Sequence, residues 1–368
     1  MPPRPAVGDQ MARVGLASTV LVLFAAALAA CESSPVTPAP EPITGLAQGV
    51  WTWVPFPDTA CQDGSPTGLA VSQGSGPDLV LFLNGGGACW DFLTCEVLSL
   101  ATRGPFGEAQ FETLRAGVLP GSILDRELPG NPLADATLVF VPYCTGDVHV
   151  GDRVTTYTGD GGPATWRHVG RANLDAFLAR IAVTWPAPRR LVVSGSSAGG
   201  FGALLEYDAI RSRWPAVSGF LLDDSGPPVG EGSISPSLVS AWREAWGAGS
   251  LLDPLCEGAC RSGFGAALSA VAERWPDDRL AVIASLRDAV VSGYFEVREV
   301  DLEADLRAMA SGIVAPLPNA RAFLVPGERH ALLTSPADYA QGVTLLGWIS
   351  AGLDGDPAWA TELPPEGP

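Results

Sequence analysis

The chain has no lysine and only three histidines. All 22 basic residues are therefore arginine, and the 40 acidic residues outnumber them to give a net charge of −18. Such a surface repels nucleic acid and anionic lipid, and no basic run or RNA-binding motif offsets the repulsion. The composition argues against a nucleic-acid-binding protein. The scarcity of histidine also limits a general base or an imidazole metal ligand to three positions.

The composition is that of a folded protein. Of the 368 residues, 47% are hydrophobic and 17% are charged. This supplies ample apolar material for a core, so disorder of the whole chain is excluded. The length suits one large domain or two small ones.

An uncharged apolar run at residues 14–30 follows Met11 and Arg13. It is short for a membrane-spanning helix and typical of a signal peptide. Its end, Leu28-Ala-Ala-Cys31, resembles a bacterial lipobox, in which the cysteine is lipidated and becomes the mature N-terminus. We predict a signal peptide over 1–30, lipidation of Cys31 and a Pro- and Ser-rich tether over 31–48. The alternative is an ordinary secretory leader with a chance cysteine.

These features predict an exported protein of the cell envelope that touches the membrane only through its lipid anchor, or else a secreted one. Six further cysteines, an even number, predict three disulfides in such a compartment. They are Cys61, Cys89, Cys95, Cys144, Cys256 and Cys260. Short loops favour Cys89 with Cys95 and Cys256 with Cys260, which leaves Cys61 with Cys144, although the sequence alone does not choose the pairing. Zinc is the alternative, but no Cys-x-x-Cys pair supports it.

Eight short runs rich in branched apolar residues, bounded by Gly, Pro and Asp, predict the strands of a mostly parallel sheet. They are 50–56, 69–72, 79–83, 137–142, 191–194, 217–222, 280–285 and 321–325. Helical spacing between them predicts covering helices over 166–184, 198–214, 286–294 and 336–351. This alternation predicts an α/β domain, with the first two strands pairing antiparallel at one edge.

Two stretches interrupt the alternation, 94–135 and 225–278. Insertions of this size above a sheet commonly form lids or substrate walls. We predict one domain over 49–352, followed by a flexible tail over 353–368 that is rich in Pro and acidic residues.

The segment Gly195-Ser-Ser197-Ala-Gly199 follows a buried strand and precedes a helical stretch. A nucleophilic serine needs this context, because it sits on a strained turn where flanking side chains would collide. We predict that Ser197 is a nucleophile, the alternative being a glycine-rich turn with a solvated serine.

An oxyanion hole needs N–H groups from the residue after the nucleophile and from the loop after the third strand. These are Ala198 and the glycine run that follows Leu83, from which we take Gly86 and Gly87. A plain tight turn is the alternative for the glycine run.

The chain order of such a site places the acid and then the base after the serine. His330 follows the last predicted strand, whereas His149 and His168 precede the serine. Asp288 and Asp224 both obey the order for the acid, and Asp288, on the later strand, is favoured.

These residues together resemble the pectin acetylesterase and Notum family of carboxylesterases. The shared motifs are Gly85-Gly-Gly-Ala-Cys89 with Cys95, Tyr143-Cys-Thr-Gly146 with Gly151-Asp152, and Gly195 to Gly200. The resemblance implies an α/β-hydrolase fold, Asp288 and His330 as acid and base, and hydrolysis of an ester on an acylated sugar such as pectin or on an acylated protein. Ala88 departs from the family, where an aromatic residue usually stands, and Trp90 is expected to supply that bulk.

The sequence thus predicts a serine carboxylesterase that acts on acyl esters, with acetyl favoured, through Ser197, His330 and Asp288. It requires no cofactor. Calcium at Asp147, Asp152 and Asp160 is a weaker alternative to turn-forming aspartates. The alternative functions are a lipase- or peptidase-like hydrolase and a catalytically silent module that binds surface glycans.

Overall fold

The computed structural model describes residues 40–261 and 263–365. Its centre is an eight-stranded sheet in the order β1-β2-β4-β3-β7-β8-β9-β10. The strands are β1 (Trp51–Phe56), β2 (Thr67–Ser72), β3 (Leu79–Leu83), β4 (Thr137–Val141), β7 (Arg190–Ser196), β8 (Ser218–Asp224), β9 (Arg279–Ser285) and β10 (Ala320–Val325). Two hairpins stand apart from it, β5 (Arg153–Gly159) with β6 (Gly162–His168) and the short β11 (Ala340–Gln341) with β12 (Val343–Thr344). Each of the eight predicted strands is present in the sheet.

The pairing of the strands also agrees with the prediction. β1 and β2 are antiparallel at one edge of the sheet. The other six strands are parallel to one another, and they are β4, β3, β7, β8, β9 and β10. Alternate side chains of a strand point to opposite faces, so Leu81 of β3 joins one apolar cluster while Val80 and Phe82 join the other. A parallel sheet buried on both faces explains why its strands are apolar throughout.

Helices cover both faces and the carboxyl edge of the sheet. They are α1 (Glu108–Gly117), α2 (Gly170–Thr184), α3 (Ala198–Leu205), α4 (Tyr207–Arg211), α5 (Pro236–Trp246), α6 (Gly249–Cys256), α7 (Gly265–Arg274), α8 (Ala289–Phe295), α9 (Glu299–Met309) and α10 (Leu345–Asp354). Short helical turns occupy Leu93–Val97, Ala259–Arg261, Ala310–Val314, Leu332–Thr334 and Pro336–Asp338. The predicted α/β class, with a mostly parallel sheet flanked by helices, is confirmed.

The helix predicted over 166–184 begins only at Gly170, because Trp166 and His168 belong to β6. Both are buried with a spacing of two, which is a strand period. The hairpin was missed because its residues are largely exposed and show no clear apolar alternation. The helix predicted over 198–214 is divided at Glu206 into α3 and α4, and α4 ends at Arg211.

Two predicted helices start later than expected because a side chain caps each one. The Asp288 carboxylate accepts the N–H groups of Val290 and Val291, so α8 begins at Ala289 rather than at 286. The Thr344 hydroxyl accepts from Gly347 at the start of α10, which had been predicted from 336.

Three disulfides join the cysteines, two in the pairs that short loops favoured and the third between the two cysteines that were left. They are Cys61–Cys144, Cys89–Cys95 and Cys256–Cys260. The two insertions are helical, with α1 in the first and α5, α6 and α7 in the second.

The predicted signal peptide, Cys31 and the tether up to residue 39 lie outside the described residues. The rest of the tether lies against the domain, since Ile43 is buried and its N–H donates to Thr184 Oγ1 at 2.8 Å. The predicted flexible tail also contains a packed part. Glu362 exchanges two backbone hydrogen bonds with the edge strand β10, and Trp359 is buried against α10 and the sheet. No helix in the described part of the chain is long and apolar enough to cross a membrane.

Candidate active site

A cleft opens at the carboxyl edge of the sheet. Its empty volume is about 480 Å³, a figure that includes space open to solvent. Loops after β3, β4, β7, β8 and β10 reach it, together with the walls formed by α5, α7 and α8. Its lining is Gly87, Ala88, Val148, Ser197, Ala198, Phe201, Ser225, Trp242, Trp246, Phe264, Val290, Val291, Tyr294, Phe295 and His330.

Ser197 stands between β7 and α3 with φ +60° and ψ −124°, a conformation that a non-glycine residue rarely adopts. The flanking glycines are needed because a Cβ on Gly195 would lie 2.1 Å from the Gly199 carbonyl oxygen. A Cβ on Gly199 would lie 1.9 Å from the Leu83 carbonyl oxygen. The strained strand-to-helix turn expected from the sequence is therefore present, with Ser197 at its tip and facing the cleft.

His330 and Asp288 are brought together by the parallel pairing of β9 with β10. His330 Nδ1 donates to Asp288 Oδ2 at 2.7 Å, and the Asp288 side chain is almost fully buried. The other ring nitrogen, Nε2, is buried and has no partner within the described residues. An imidazole held in this tautomer leaves Nε2 free to accept a proton.

Asp224, the alternative acid, does not contact His330 through a hydrogen bond. Its carboxylate accepts from the Ser196 hydroxyl at 2.6 Å and from the N–H groups of Leu332 and Leu333 at 2.9 Å each. Burial raises the pKa of this carboxyl group, while these hydrogen bonds lower it.

The glycine loop presents an N–H group to the cleft. Thr102 N–H donates to the Gly86 carbonyl at 2.7 Å, and the two sides of a trans peptide point in opposite directions, so the Gly87 N–H points away from Thr102. The N–H groups of Gly87 and Ala198 have no acceptor among the described residues. Gly86, which we had included among the donors, is not part of the cleft lining.

Two tyrosines, Tyr143 and the cleft-lining Tyr294, bond to this loop and to the segment beside it. The Tyr143 hydroxyl donates to the Gly87 carbonyl and accepts from the Val148 N–H, both at 2.8 Å. The Tyr294 hydroxyl donates to the Leu100 carbonyl. Burial raises the pKa of both phenols, so they remain protonated donors.

The other two histidines are occupied elsewhere. His149 Nε2 donates to the Asn84 carbonyl at 2.8 Å. His168 bonds the Tyr157 hydroxyl and the Thr145 carbonyl, and burial lowers its pKa to about 4. Burial also lowers the pKa of His149, so in both residues burial favours the neutral ring.

One group of potential metal-ligand atoms occurs in the described part of the chain, formed by Cys89, Cys95 and His168. Its sulfurs are joined in a disulfide and both imidazole nitrogens have protein partners, so the group does not fit a metal ion. Of the aspartates considered for calcium, Asp147 accepts from protein donors, Thr145, His149 and Gly170, and Asp152 and Asp160 are exposed.

The aromatic wall of the cleft was not predicted from the sequence. Trp242 stacks on Trp246 and Phe264, with ring centroids 5.9 and 6.2 Å apart and nearly parallel planes. Trp246 Nε1 donates to the Cys89 carbonyl at 2.7 Å, which ties the insertion to the glycine loop. Trp90 was expected to replace the aromatic residue missing at Ala88, but it packs edge-on against Trp242 and does not line the cleft.

A family model described as pectinacetylesterase matches residues 55–233, which include the glycine loop and the Ser197 turn. The palmitoleoyl-protein carboxylesterase NOTUM of Homo sapiens is 30% identical over 176 residues, which cover 45% of this chain and 34% of the relative. The corresponding protein of Drosophila melanogaster is 30% identical over 156 residues, 41% of this chain and 23% of the relative. The chain belongs to the pectin acetylesterase and Notum family. The observed sheet agrees with the α/β-hydrolase fold expected for this family.

The match spans about a third or less of these two relatives. A third family member, the inactive palmitoleoyl-protein carboxylesterase notum1b of Danio rerio, is 32% identical over 98 residues, 26% of this chain and 68% of the relative. Because this relative is named as inactive, family membership alone does not establish catalysis. The activity of the present chain has to be argued from its own residues.

Proposed function

We propose that the protein is a serine carboxylesterase. The observation that carries this proposal is the strained conformation of Ser197 in the cleft that His330 also lines, with His330 Nδ1 bonded to the buried Asp288 and Nε2 without a partner among the described residues. Strain of this kind costs free energy and is typically retained where it serves catalysis.

In this mechanism Ser197 Oγ attacks the ester carbonyl while His330 Nε2 takes the hydroxyl proton. Asp288 stabilises the resulting imidazolium and keeps its Nδ1–H directed away from the serine. The Gly87 and Ala198 N–H groups donate to the developing oxyanion, and the N-terminus of α3 adds a favourable dipole. His330 then protonates the leaving alcohol, and a water molecule, activated by the same imidazole, releases the acid from the acyl-enzyme.

The acyl group is the part of the substrate that the apolar cleft accommodates. We propose an acetyl ester on a carbohydrate such as pectin as the substrate, in keeping with the family model. A longer fatty acyl group is a second candidate. The aromatic lining of the cleft favours it, because apolar side chains stabilise a bound acyl chain by burying its apolar surface.

The net charge of the protein affects how it binds the alcohol part of the ester, which is the polysaccharide. A net charge of −18 opposes binding of a polyanion at low salt, so turnover of pectin should rise when salt screens the repulsion. A neutral acetylated polysaccharide should show no such rise.

A silent glycan-binding module remains the alternative from another class. Such a protein has no use for a free imidazole nitrogen facing a strained serine. Export and lipid anchoring through Cys31 are part of the proposal, and the three disulfides fit an oxidising compartment.

The test is hydrolysis of p-nitrophenyl esters from acetate to octanoate, with an anilide as the peptidase control. We expect turnover of esters and none of the anilide, with the best chain length identifying the acyl class. The matched control is Ser197→Ala. Absence of turnover with every ester, or full turnover by Ser197→Ala, would reject the proposal.

A further inference from the structure

Asp224 lies at the end of β8, between the turn that carries Ser197 and the loop that carries His330. Its side chain is fully buried, and within the described residues its carboxylate bonds only to these two segments and to Ser225. The mechanism above gives this carboxylate no part in proton transfer. A buried carboxylate destabilises the fold unless its oxygens accept hydrogen bonds, and the partners of those hydrogen bonds indicate the role of Asp224.

On the histidine side, the three peptide N–H groups that follow His330 are all bound by two adjacent side chains. Ala331 N–H donates to Ser225 Oγ at 3.0 Å, Leu332 N–H to Asp224 Oδ1 at 2.9 Å and Leu333 N–H to Asp224 Oδ2 at 2.9 Å. Ala331 has φ +59°, a strained conformation for alanine. These three bonds hold the loop in that shape at the residue next to the imidazole.

On the serine side, the same residue holds the strained turn. Ser196 Oγ donates to Asp224 Oδ2 at 2.6 Å, and Ser197 N–H donates to the Asp224 main-chain carbonyl at 2.8 Å. The loop and the turn therefore share one anchor.

We propose that Asp224, with Ser225, is a positioning residue that fixes the loop of His330 to the turn of Ser197 and thereby sets the distance between the two reacting side chains. This inference rests on the proposed function. A misplacement of about 1 Å between reacting groups can cost on the order of 10²-fold in rate, so the anchor should affect turnover and not only stability.

The conservative substitution Asp224→Asn tests this sharply. Each carboxylate oxygen accepts one backbone N–H from the histidine loop. In either orientation, the asparagine NH₂ group faces a backbone N–H, and two donors cannot bond. One of the two loop bonds must be lost, although the volume of the side chain is unchanged.

The matched control is Asp223→Asn. Asp223 is the preceding residue and is equally buried, but its carboxylate bonds only to the Gly226 N–H, and its Oδ2 has no partner within the described residues. Burial and the neighbouring Asp224 raise its pKa and so favour its neutral form, which asparagine resembles in shape and charge.

We expect Asp224→Asn to lower kcat and kcat/KM for p-nitrophenyl acetate together by about 10²-fold, at a temperature well below the unfolding transition of each variant. Asp223→Asn should stay within about twofold of wild type. In an Asp288→Asn background, where His330 is no longer held, Asp224→Asn should cost less than about fivefold, because the two residues act through one imidazole.

If Asp224→Asn does not fold, Ser225→Ala replaces it, since it removes only the Ala331 bond and should lower kcat by about tenfold. Wild-type turnover in either variant, an equal loss in Asp223→Asn, or full additivity with Asp288→Asn would overturn the inference. The proposed function fails separately, through an inactive wild type or an active Ser197→Ala.

Discussion

Two regions of the molecule meet at the cleft and are built in different ways. At the carboxyl edge of the sheet, Ser197 lies on a strained turn and His330 is held by a short hydrogen bond to Asp288. The insertion over 225–278 supplies the opposite wall through stacked aromatic rings, chiefly Trp242 and Phe264. The first region can transfer protons and stabilise charge. The second offers apolar surface and shape, so changes in the two regions should affect rate and substrate choice separately.

The largest effect should come from the sheet edge. Ser197→Ala removes the nucleophile and should lower kcat on the order of 10⁶-fold, as removal of a serine nucleophile does in other serine hydrolases. The neighbouring Ser196→Ala removes one bond to Asp224 and should cost less than about tenfold. Steady-state kinetics of both variants with p-nitrophenyl acetate makes the comparison. Equal losses in the two would show that the nucleophile is misassigned.

The second-largest loss of turnover should come from replacing the acid, Asp288. Asp288→Asn removes the acceptor of His330 Nδ1 and should lower turnover by about 10⁴-fold through the wrong imidazole tautomer. The cap of α8 should persist, because the asparagine Oδ1 can still accept from Val290 and Val291. Thermal unfolding should therefore stay near that of the wild type while steady-state kinetics records the loss. A larger kinetic loss in Asp224→Asn than in Asp288→Asn would make Asp224 the acid.

Substitutions in the aromatic wall should change the preference for acyl chain length more than the rate with acetate. Trp242→Ala removes the central ring of the aromatic stack and should lower kcat/KM for the longest ester that the wild type hydrolyses by about 10-fold or more, while acetate changes by less than about threefold. Trp90→Ala is the control, because Trp90 contacts Trp242 but does not line the cleft. If acetate and the longer ester lose equally, the wall does not bind the acyl group.

The smallest effect should lie away from both regions. Glu206 is buried beside Arg171, and burial raises its pKa from 4.5 to about 8. Between these two pH values the folded protein binds the proton that the unfolded chain releases, so this group's contribution to stability falls as pH rises from about 5 to 8. Glu206→Gln should remove that part of the pH dependence of Tm. A difference in Tm between variant and wild type that stays constant from pH 5 to 8 would contradict the assignment.

The sequence predicted the sheet edge well because its signals are local. The glycines around Ser197 stand within two residues of it, and each catalytic candidate follows a buried strand whose apolar run is easily read. The scarcity of histidine also left His330 as the one candidate after the serine. The pairing of β9 with β10, assumed when Asp288 was chosen, is present.

The wall could not be predicted because it is assembled from distant residues. Trp242 lies on α5, Phe264 immediately precedes α7 and Phe295 ends α8, and nothing in their own neighbourhoods indicates that they meet. The same holds for Asp224, whose carboxylate reaches residues more than a hundred positions later in the chain. In the sequence, the only indication of this role is a pair of adjacent aspartates at the end of a buried strand.

Activation of Ser197 by His330 is the step on which the proposed catalysis depends most. Reaction with a fluorophosphonate, followed by fragmentation of the modified peptide in a mass spectrometer, measures this directly. We predict one adduct per chain on Ser197 and none on Ser196, with the rate of modification lowered by about 10⁴-fold in Asp288→Asn. An adduct at another residue, or ester turnover by a protein that the reagent leaves unmodified, would contradict the account.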